Sequence, residues 1–192
     1  MTTIAAIQGD GWVVMGADTQ GTYNEYRIVK MKGDKVYNNN GILIAGCGQG
    51  RGLDILQKAW VAPKPTKRLS PEKLDVWMAR TFIPKMRKLF IDSGYDMKDD
   101  GDFAQHESVF LIAVQGTLYI IDDDYSFDRD ARNYITSGSG GDFAQGALHA
   151  QGSKIFKSIE DAKKALIIAV DAAKEFDTNS GGETKTYVQE FK

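Results

Sequence analysis

Short apolar runs, separated by turn signals, occupy four parts of this chain. Residues 3–7 and 12–17 predict two strands joined by a Gly-Asp-Gly turn, and residues 42–45 predict a buried strand after an Asn-Gly turn. Residues 108–121 predict two more strands on either side of Gln115-Gly116, and residues 185–191 a last one. The strands are short and bounded by hairpin turns, which is typical of antiparallel sheets.

Helical periodicity appears between these groups of strands. After Ser70-Pro71, which suits a helix start, an apolar residue recurs at every fourth position: Leu74, Met78, Phe82, Met86 and Phe90. A shorter helix is predicted over residues 53–61, and a later one from Ser158, which forms a capping-box pattern with Asp161, to about residue 176. The order of elements predicts one α+β domain in which sheets pack together and helices lie outside.

Composition narrows the classes of partner. A formal net charge of −2 over 192 residues offers no basic surface, so nucleic acid is not an expected partner. No apolar run approaches the ~18 residues of a membrane span, and the N-terminus lacks the pattern of a secretory leader. The single Cys47 cannot form an internal disulfide, and a reduced, cytoplasmic setting is expected.

Most candidate sites for cofactors or nucleophiles have a simpler explanation. The stretches GCGQGRG and SGSGGDF lack the lysine of a phosphate-binding loop and its strand-to-helix context. His106 and His149 have no acidic partner at metal-ligand spacing, and each is expected at the surface or on a helix. Cys47 is expected to fill a small buried apolar position. Neither a metal nor a cofactor is predicted.

Thr2 offers a different kind of nucleophile. If Met1 is removed, Thr2 carries a hydroxyl and a free α-amine, and an amine that titrates near ~8 can act as a base for its own hydroxyl. A small residue at position 2 is common, so Thr2 alone does not establish this chemistry. Asp18 adds to the question, because it stands at the end of an apolar strand.

Six motifs, in one order along the chain, bear on that question: TTIAAI, VVMGADTQGT, GDKVY, LIAGCG, YITSGSGG and KEFDTNSGG. Together they resemble the proteasome β-subunit family and its bacterial relative HslV. The resemblance implies a four-layer αββα sandwich of the N-terminal nucleophile (Ntn) hydrolase type, formed by a single domain that spans the chain. It also implies a threonine-type endopeptidase that cleaves polypeptides through an acyl-enzyme ester.

The resemblance assigns roles to particular residues. Thr2 would be the nucleophile, Lys35 a fixed cation beside it, Asp18 the partner of that lysine, and Gly46 the backbone donor to the oxyanion. Lys30 and Lys32 remain alternatives to Lys35. The hydroxyls and carboxylate expected to orient the terminal amine are those of Ser139, Asp177 and Ser180. Substrate contacts are expected from Gln20, Thr22, Ile44 and Gly48.

Specificity and assembly follow from the same resemblance. Ile44 matches the base of the pocket for the residue on the acyl side of the cut, which predicts an apolar or aromatic preference there. The subunits would form homo-oligomeric stacked rings, with an AAA+ ATPase unfoldase as a candidate partner. Two alternatives remain open: a non-catalytic ring or shell protein of the same fold, and an Ntn amidase acting on a small amide.

Overall fold

The computed structural model describes residues 2–23, 27–96 and 104–191. Its centre is a pair of antiparallel sheets. The first has four strands in the order β10-β1-β2-β11, formed by Tyr134–Ser137, Ile4–Gly9, Trp12–Asp18 and Thr184–Glu190. The second has five in the order β5-β6-β7-β8-β9, formed by Val36–Asn39, Ile42–Gly48, Ser108–Val114, Thr117–Ile121 and Phe127–Asp128.

Helices cover the outer face of each sheet. Helix α1 is Gly50–Lys58; helices α2 and α3 are Pro71–Trp77 and Ile83–Asp92, joined by a π-helical turn at Met78–Phe82. Helices α4 and α5 are Gly141–Gln151 and Ile159–Phe176, with a 3₁₀ turn at Gly152–Phe156 between them. As predicted, α5 begins at its capping residue: the Ser158 hydroxyl accepts the Asp161 amide N–H at 3.1 Å.

Three buried clusters show how the layers pack. Alternate residues of a strand face opposite sides, so Ile4 and Ala6 face the second sheet while Ala5 and Ile7 face helices α4 and α5. The second sheet turns its other face to α1, α2 and α3. The resulting order is helices, sheet, sheet, helices. The predicted α+β sandwich of antiparallel sheets between helix layers is confirmed.

A separate hairpin lies beside the sandwich, where the sequence suggested no regular structure. Strands β3 and β4, Gln20–Tyr23 and Arg27–Lys30, form a two-stranded antiparallel sheet. Gln20 opens this hairpin two residues after Asp18, at the end of β2. The hairpin therefore stands at the same end of the sandwich as the residues predicted for the site.

His106 is not at the surface, contrary to the expectation from sequence. It is 1% exposed and its ring contacts those of Phe90 and Tyr125, with centroid separations of 5.3 and 4.6 Å. Burial lowers the pKa of His106, against the opposite effect of nearby aspartates. His149 lies on α4 and is exposed, as expected. His106 is therefore part of the buried aromatic cluster, and His149 belongs to the surface of α4.

Candidate active site

Asp18 is a buried carboxylate that accepts four hydrogen bonds. Its Oδ1 accepts the Thr3 amide N–H at 2.9 Å and the Lys35 ammonium at 2.7 Å. Its Oδ2 accepts the amide N–H groups of Gln20 and Gly181, each at 3.1 Å. A buried charge is tolerated when it is paired and its lone pairs are filled, and both conditions are met here. The end of β2 is thereby fastened to the N-terminal strand, the hairpin and the segment before β11.

Among the three candidate lysines, the structure brings Lys35 to Asp18. The side chains of Lys35 and Asp18 are 4% and 0% exposed. Lys30 is exposed on β4, and Lys32 is exposed just after it. Burial lowers the pKa of Lys35 below its ordinary value of 10.5, although the charge and hydrogen bond of Asp18 act in the opposite direction. Lys35 is therefore a desolvated ammonium held by one carboxylate.

Thr2 and Thr3 have different surroundings. Thr3 is fully buried, and its hydroxyl lies 2.6 Å from the Ser180 hydroxyl. Thr2 is 6% exposed and lines an open cleft together with Lys35 and Gly46. Only Thr2 of the two adjacent threonines is thus placed where a substrate can reach it.

The three residues expected around the amine form one network. Ser139 and Ser180 each donate a hydroxyl to Asp177 Oδ2 at 2.7 Å. Burial raises the pKa of Asp177, but the hydrogen bonds from Ser180, Ser139 and Asn179 outweigh that effect and the net pKa lies below the ordinary value. Because the Ser180 hydroxyl also forms a hydrogen bond with the Thr3 hydroxyl, the network is linked to the residue just before β1.

The Ser-Gly loop before α4 passes very close to Thr2. Gly138 has φ +93°, and a Cβ at this position would lie 1.9 Å from the Thr2 carbonyl oxygen. Both the left-handed backbone and the missing space require glycine. A Cβ at Gly140 would lie 2.0 Å from the Thr3 hydroxyl. The glycines of the SGSGG motif therefore allow the loop to pack against the first two threonines.

The cleft has a volume of about 630 Å³. It opens between β3, the end of β6 and the start of β7. Its lining residues are Thr2, Gln20, Gly21, Thr22, Met31, Lys35, Gly46, Cys47, Gly48, Gln49, Gly50, Leu53, Glu107, Ser108 and Phe110.

The backbone of β6 forms one edge of this cleft. The amide N–H of Gly46 points toward the carbonyl of Lys35 over a long 3.4 Å contact. A Cβ at Gly46 would lie 2.9 Å from Leu53 and 3.0 Å from Phe110, so it would meet the apolar wall of the cleft. Gly48, two residues further, has φ +98°. The side chains missing at both positions leave the strand backbone accessible from the cleft.

Of the four residues expected to contact substrate, three line the cleft. Besides Gly48, these are Gln20 and Thr22. The Gln20 amide donates to the Thr178 carbonyl at 3.0 Å, which ties the hairpin to the DTNSGG segment. Ile44 does not line the cleft. Its side chain is 0% exposed and packs in the buried cluster beneath α1. It lies on the same face of β6 as Gly46 but one step deeper in the core.

Several lining residues were not singled out from sequence. Met31, Leu53 and Glu107 lie far apart along the chain, and no local pattern joins them. Cys47 was expected in a buried apolar position; it is only partly buried, and its Sγ lies 3.2 Å from the Ser137 hydroxyl at the cleft. Burial raises the pKa of the Cys47 thiol, so it is mainly protonated at neutral pH. That protonation does not favour a thiolate nucleophile.

No three His, Cys, Asp or Glu side chains in residues 2–23, 27–96 and 104–191 come together as a set of metal ligands. No helix in the same ranges combines the length and apolarity needed to cross a bilayer.

Solved structures share this architecture along the whole chain. The Thiobacillus denitrificans BPH structure in complex with epoxomicin matches with a TM-score of 0.76 and 20% identity over 100% of both chains. A second BPH structure from that organism matches with a TM-score of 0.73 and 20% identity, over 100% of this chain and 99% of that one. Eukaryotic HslV from Trypanosoma brucei matches with a TM-score of 0.66 and 21% identity, over 98% and 99% of the two chains.

This chain has the HslV-like fold. The predicted resemblance to proteasome-type and HslV-type proteins is therefore confirmed at the level of structure. No protein-family model matches the sequence. At 20–21% identity the likeness concerns the fold, so the assignment of chemistry depends on the residues of the site.

Proposed function

We propose that this chain is a threonine-type endopeptidase subunit that cleaves polypeptides with Thr2 as its nucleophile. The observation that carries the proposal is the position of Thr2, which lies in an open cleft with Lys35, whose ammonium is 2.7 Å from buried Asp18. A hydroxyl beside a fixed cation is suited to nucleophilic attack, because the cation stabilises the developing alkoxide.

The reaction begins after Met1 is removed. The Thr2 hydroxyl gives its proton to its own α-amine, through a bridging water, and the oxygen attacks the carbonyl carbon of the peptide bond. The Gly46 amide N–H leaves its long contact with Lys35 and donates to the oxyanion. The ammonium of Thr2 then protonates the leaving amine, and an ester links the acyl group to Thr2. A water molecule hydrolyses that ester and restores the free threonine.

The buried groups around Thr2 have supporting roles in this scheme. Asp18 keeps Lys35 cationic and oriented, while the Ser139, Asp177 and Ser180 network fixes the start of β1 and the position of the amine. Gln20, Thr22 and Gly48 border the cleft, where an extended peptide would lie. No step in this scheme uses a metal or an organic cofactor.

Assembly and cellular setting belong to the same proposal. We place the chain in homo-oligomeric stacked rings in the cytoplasm, with an AAA+ unfoldase as a candidate partner. Enclosure of the sites would restrict cleavage to polypeptides that are delivered into the chamber. The structural similarity to an HslV chain supports the proposed ring assembly.

Replacement of Thr2 tests the proposal. Thr2→Ala should retain the fold and assembly but lose hydrolysis of fluorogenic peptides, whereas Thr2→Ser should keep part of the activity because it keeps both a hydroxyl and an amine. Epoxomicin, bound in the T. denitrificans structure, should raise the melting temperature of the wild type more than that of Thr2→Ala. Hydrolysis by Thr2→Ala at the wild-type rate would rule the proposal out. Intact rings without any turnover would favour the shell protein instead.

A further inference from the structure

Glu107 is an exposed carboxylate that lines the cleft on the side of β7. None of the ion pairs found in the described ranges of the chain includes it. Lys35, the other charged residue of the lining, is already neutralised by Asp18. The cleft therefore presents a negative charge that no neighbouring side chain in those ranges balances.

Nearby charged side chains outside the cleft, Arg51 and Asp54, interact with other groups. The Arg51 guanidinium, at the start of α1, donates to the Ser93 carbonyl at 2.7 Å. Asp54, one turn further along α1, pairs with Lys58. Neither residue belongs to the cleft lining. A cation that enters the cleft would thus meet Glu107 without displacing an existing partner.

The backbone beneath Glu107 is fixed. Its carbonyl accepts the Gln49 amide N–H at 2.9 Å, and a Cβ on Gly48 would lie 2.3 Å from the same oxygen. Ser108, the next residue, donates its hydroxyl to the Gln49 carbonyl at 3.1 Å and lies 2.8 Å from the Tyr95 hydroxyl. The carboxylate is therefore carried by a well-anchored part of the wall.

Glycines and apolar side chains line the cleft that Thr2 and Glu107 share. Gly46, Gly48 and Gly50 border the cleft without side chains, while Met31 and Leu53 provide an apolar wall. The Glu107 backbone pairs with Gln49, three residues beyond Gly46, and three residues of extended strand span about 10 Å. A long side chain of a substrate bound at Gly46 and the side chain of Glu107 together cover that distance. Lysine and arginine combine an apolar stem with a charged end, and that combination matches an apolar wall ending at a carboxylate.

We propose that Glu107 selects substrates with arginine or lysine on the acyl side of the cleaved bond. The stem of that residue packs on Met31 and Leu53, and its charged end meets the Glu107 carboxylate. The inference rests on the proposed peptidase function. It replaces the wholly apolar preference expected from Ile44, which lies in the core.

Peptide coumarin amides that differ at one residue test the assignment. The acyl-side residue is arginine in one peptide and citrulline, its uncharged near-isostere, in the other. At low ionic strength the wild type should cleave the arginyl peptide with at least fivefold higher kcat/KM. Glu107→Gln should bring the ratio within twofold, and Glu107→Lys should invert it. Glu175→Gln, an exposed substitution on α5 outside the cleft, should keep the wild-type ratio.

Binding to Thr2→Ala separates this inference from the peptidase proposal. Fluorescence anisotropy with labelled forms of both peptides should give the same preference for arginine, and Glu107→Gln in the Thr2→Ala background should remove it. If no variant cleaves either peptide, the peptidase proposal fails and this binding ratio alone decides the role of Glu107. A ratio near one in the wild type, or one unchanged by Glu107→Gln, would overturn the inference.

Discussion

The Lys35 ammonium lies 2.7 Å from Asp18 Oδ1, and the two side chains are 4% and 0% exposed. Asp18 Oδ1 also accepts the amide N–H of Thr3, the neighbour of the proposed nucleophile. One carboxylate oxygen thus fixes both the cation and the start of β1. The position of Lys35 relative to Thr2 depends on this shared acceptor.

Removal of either partner should impair both activity and stability. Asp18→Asn and Lys35→Ala should each lower kcat by ~10²-fold or more, the scale expected for loss of a positioned charge at a reacting centre. Each should also lower the free energy of unfolding by about 3 kcal/mol or more, because the remaining partner is buried without its counter-charge. Peptide kinetics and urea denaturation measure the two effects.

Lys30→Ala and Lys32→Ala are the matched controls. Both side chains are exposed, so each variant should keep its folding free energy within ~0.5 kcal/mol. A loss of activity in Lys30→Ala or Lys32→Ala as large as in Lys35→Ala would assign the catalytic cation to a different lysine.

The pH dependence of kcat should show the lowered pKa of Lys35. Activity needs the cationic form, so it should fall as pH rises through a pKa below the ordinary 10.5. The same lowered pKa has the opposite effect on stability: the free energy of unfolding increases as pH rises. Between the two pKa values the unfolded chain binds the proton more strongly, so the contribution of Lys35 to stability increases with pH in that window.

Rate and folding must therefore be measured together across the alkaline range. The fall in kcat should begin while circular dichroism still reports a folded protein. An alkaline limb that coincides with unfolding, or one that remains unchanged in Lys35→Arg, would argue against a titrating lysine in the site.

Gly138→Ala should displace Thr2. A Cβ would lie 1.9 Å from the Thr2 carbonyl oxygen, and φ +93° is unfavourable for alanine. The loop and β1 must separate, so kcat should fall at least tenfold. Peptide hydrolysis and thermal unfolding measure the two consequences.

Gly146→Ala is the control, because this helical glycine on α4 has open space around it. Gly146→Ala should retain full activity and gain roughly 0.5–1 kcal/mol of stability. Wild-type turnover by Gly138→Ala would show that the close approach of the loop to Thr2 does not position the nucleophile.

Self-association is also expected. The rings of Phe143 and Phe176 lie 5.6 Å apart on the outer helix layer and are 44% and 68% exposed, which leaves apolar surface for a neighbouring subunit. Sedimentation velocity at micromolar concentration should reveal a species of at least six subunits. A persistent monomer near 21.2 kDa would count against the ring.

The sequence predicted the sandwich because its strands and helices carry clear periodicity. The hairpin of β3 and β4 was not predicted, since its apolar residues Ile28 and Val29 are exposed and no buried face imposes alternation. Asp18 and Lys35 were recognised through the order of motifs, and the structure brings them together. Whether they and the other site residues carry the chemistry stays a prediction.

Specificity was harder to predict from sequence. The motif that contains Ile44 predicts a place in the specificity pocket. In the structure, Ile44 is fully buried in the core, whereas Gly46, two residues further along β6, lines the cleft. Whether a residue of β6 reaches the cleft depends on how the helices cover the strand, which the motif does not specify. Met31, Leu53 and Glu107 meet only in three dimensions. That these three residues line one cleft depends on the register of β6 against β7 and on the position of the β3–β4 hairpin. No local sequence pattern specifies either of these features.

The most direct test of the central claim is the activity of a protein that carries one unremovable residue before Thr2. Intact mass first establishes that Met1 is absent from the wild type and that the added residue remains in the variant. The extension turns the α-amine into a non-basic amide while it leaves the hydroxyl, Asp18 and Lys35 in the chain. We predict that peptide hydrolysis falls to the level of Thr2→Ala. Cleavage by the extended protein at the wild-type rate would contradict an N-terminal nucleophile.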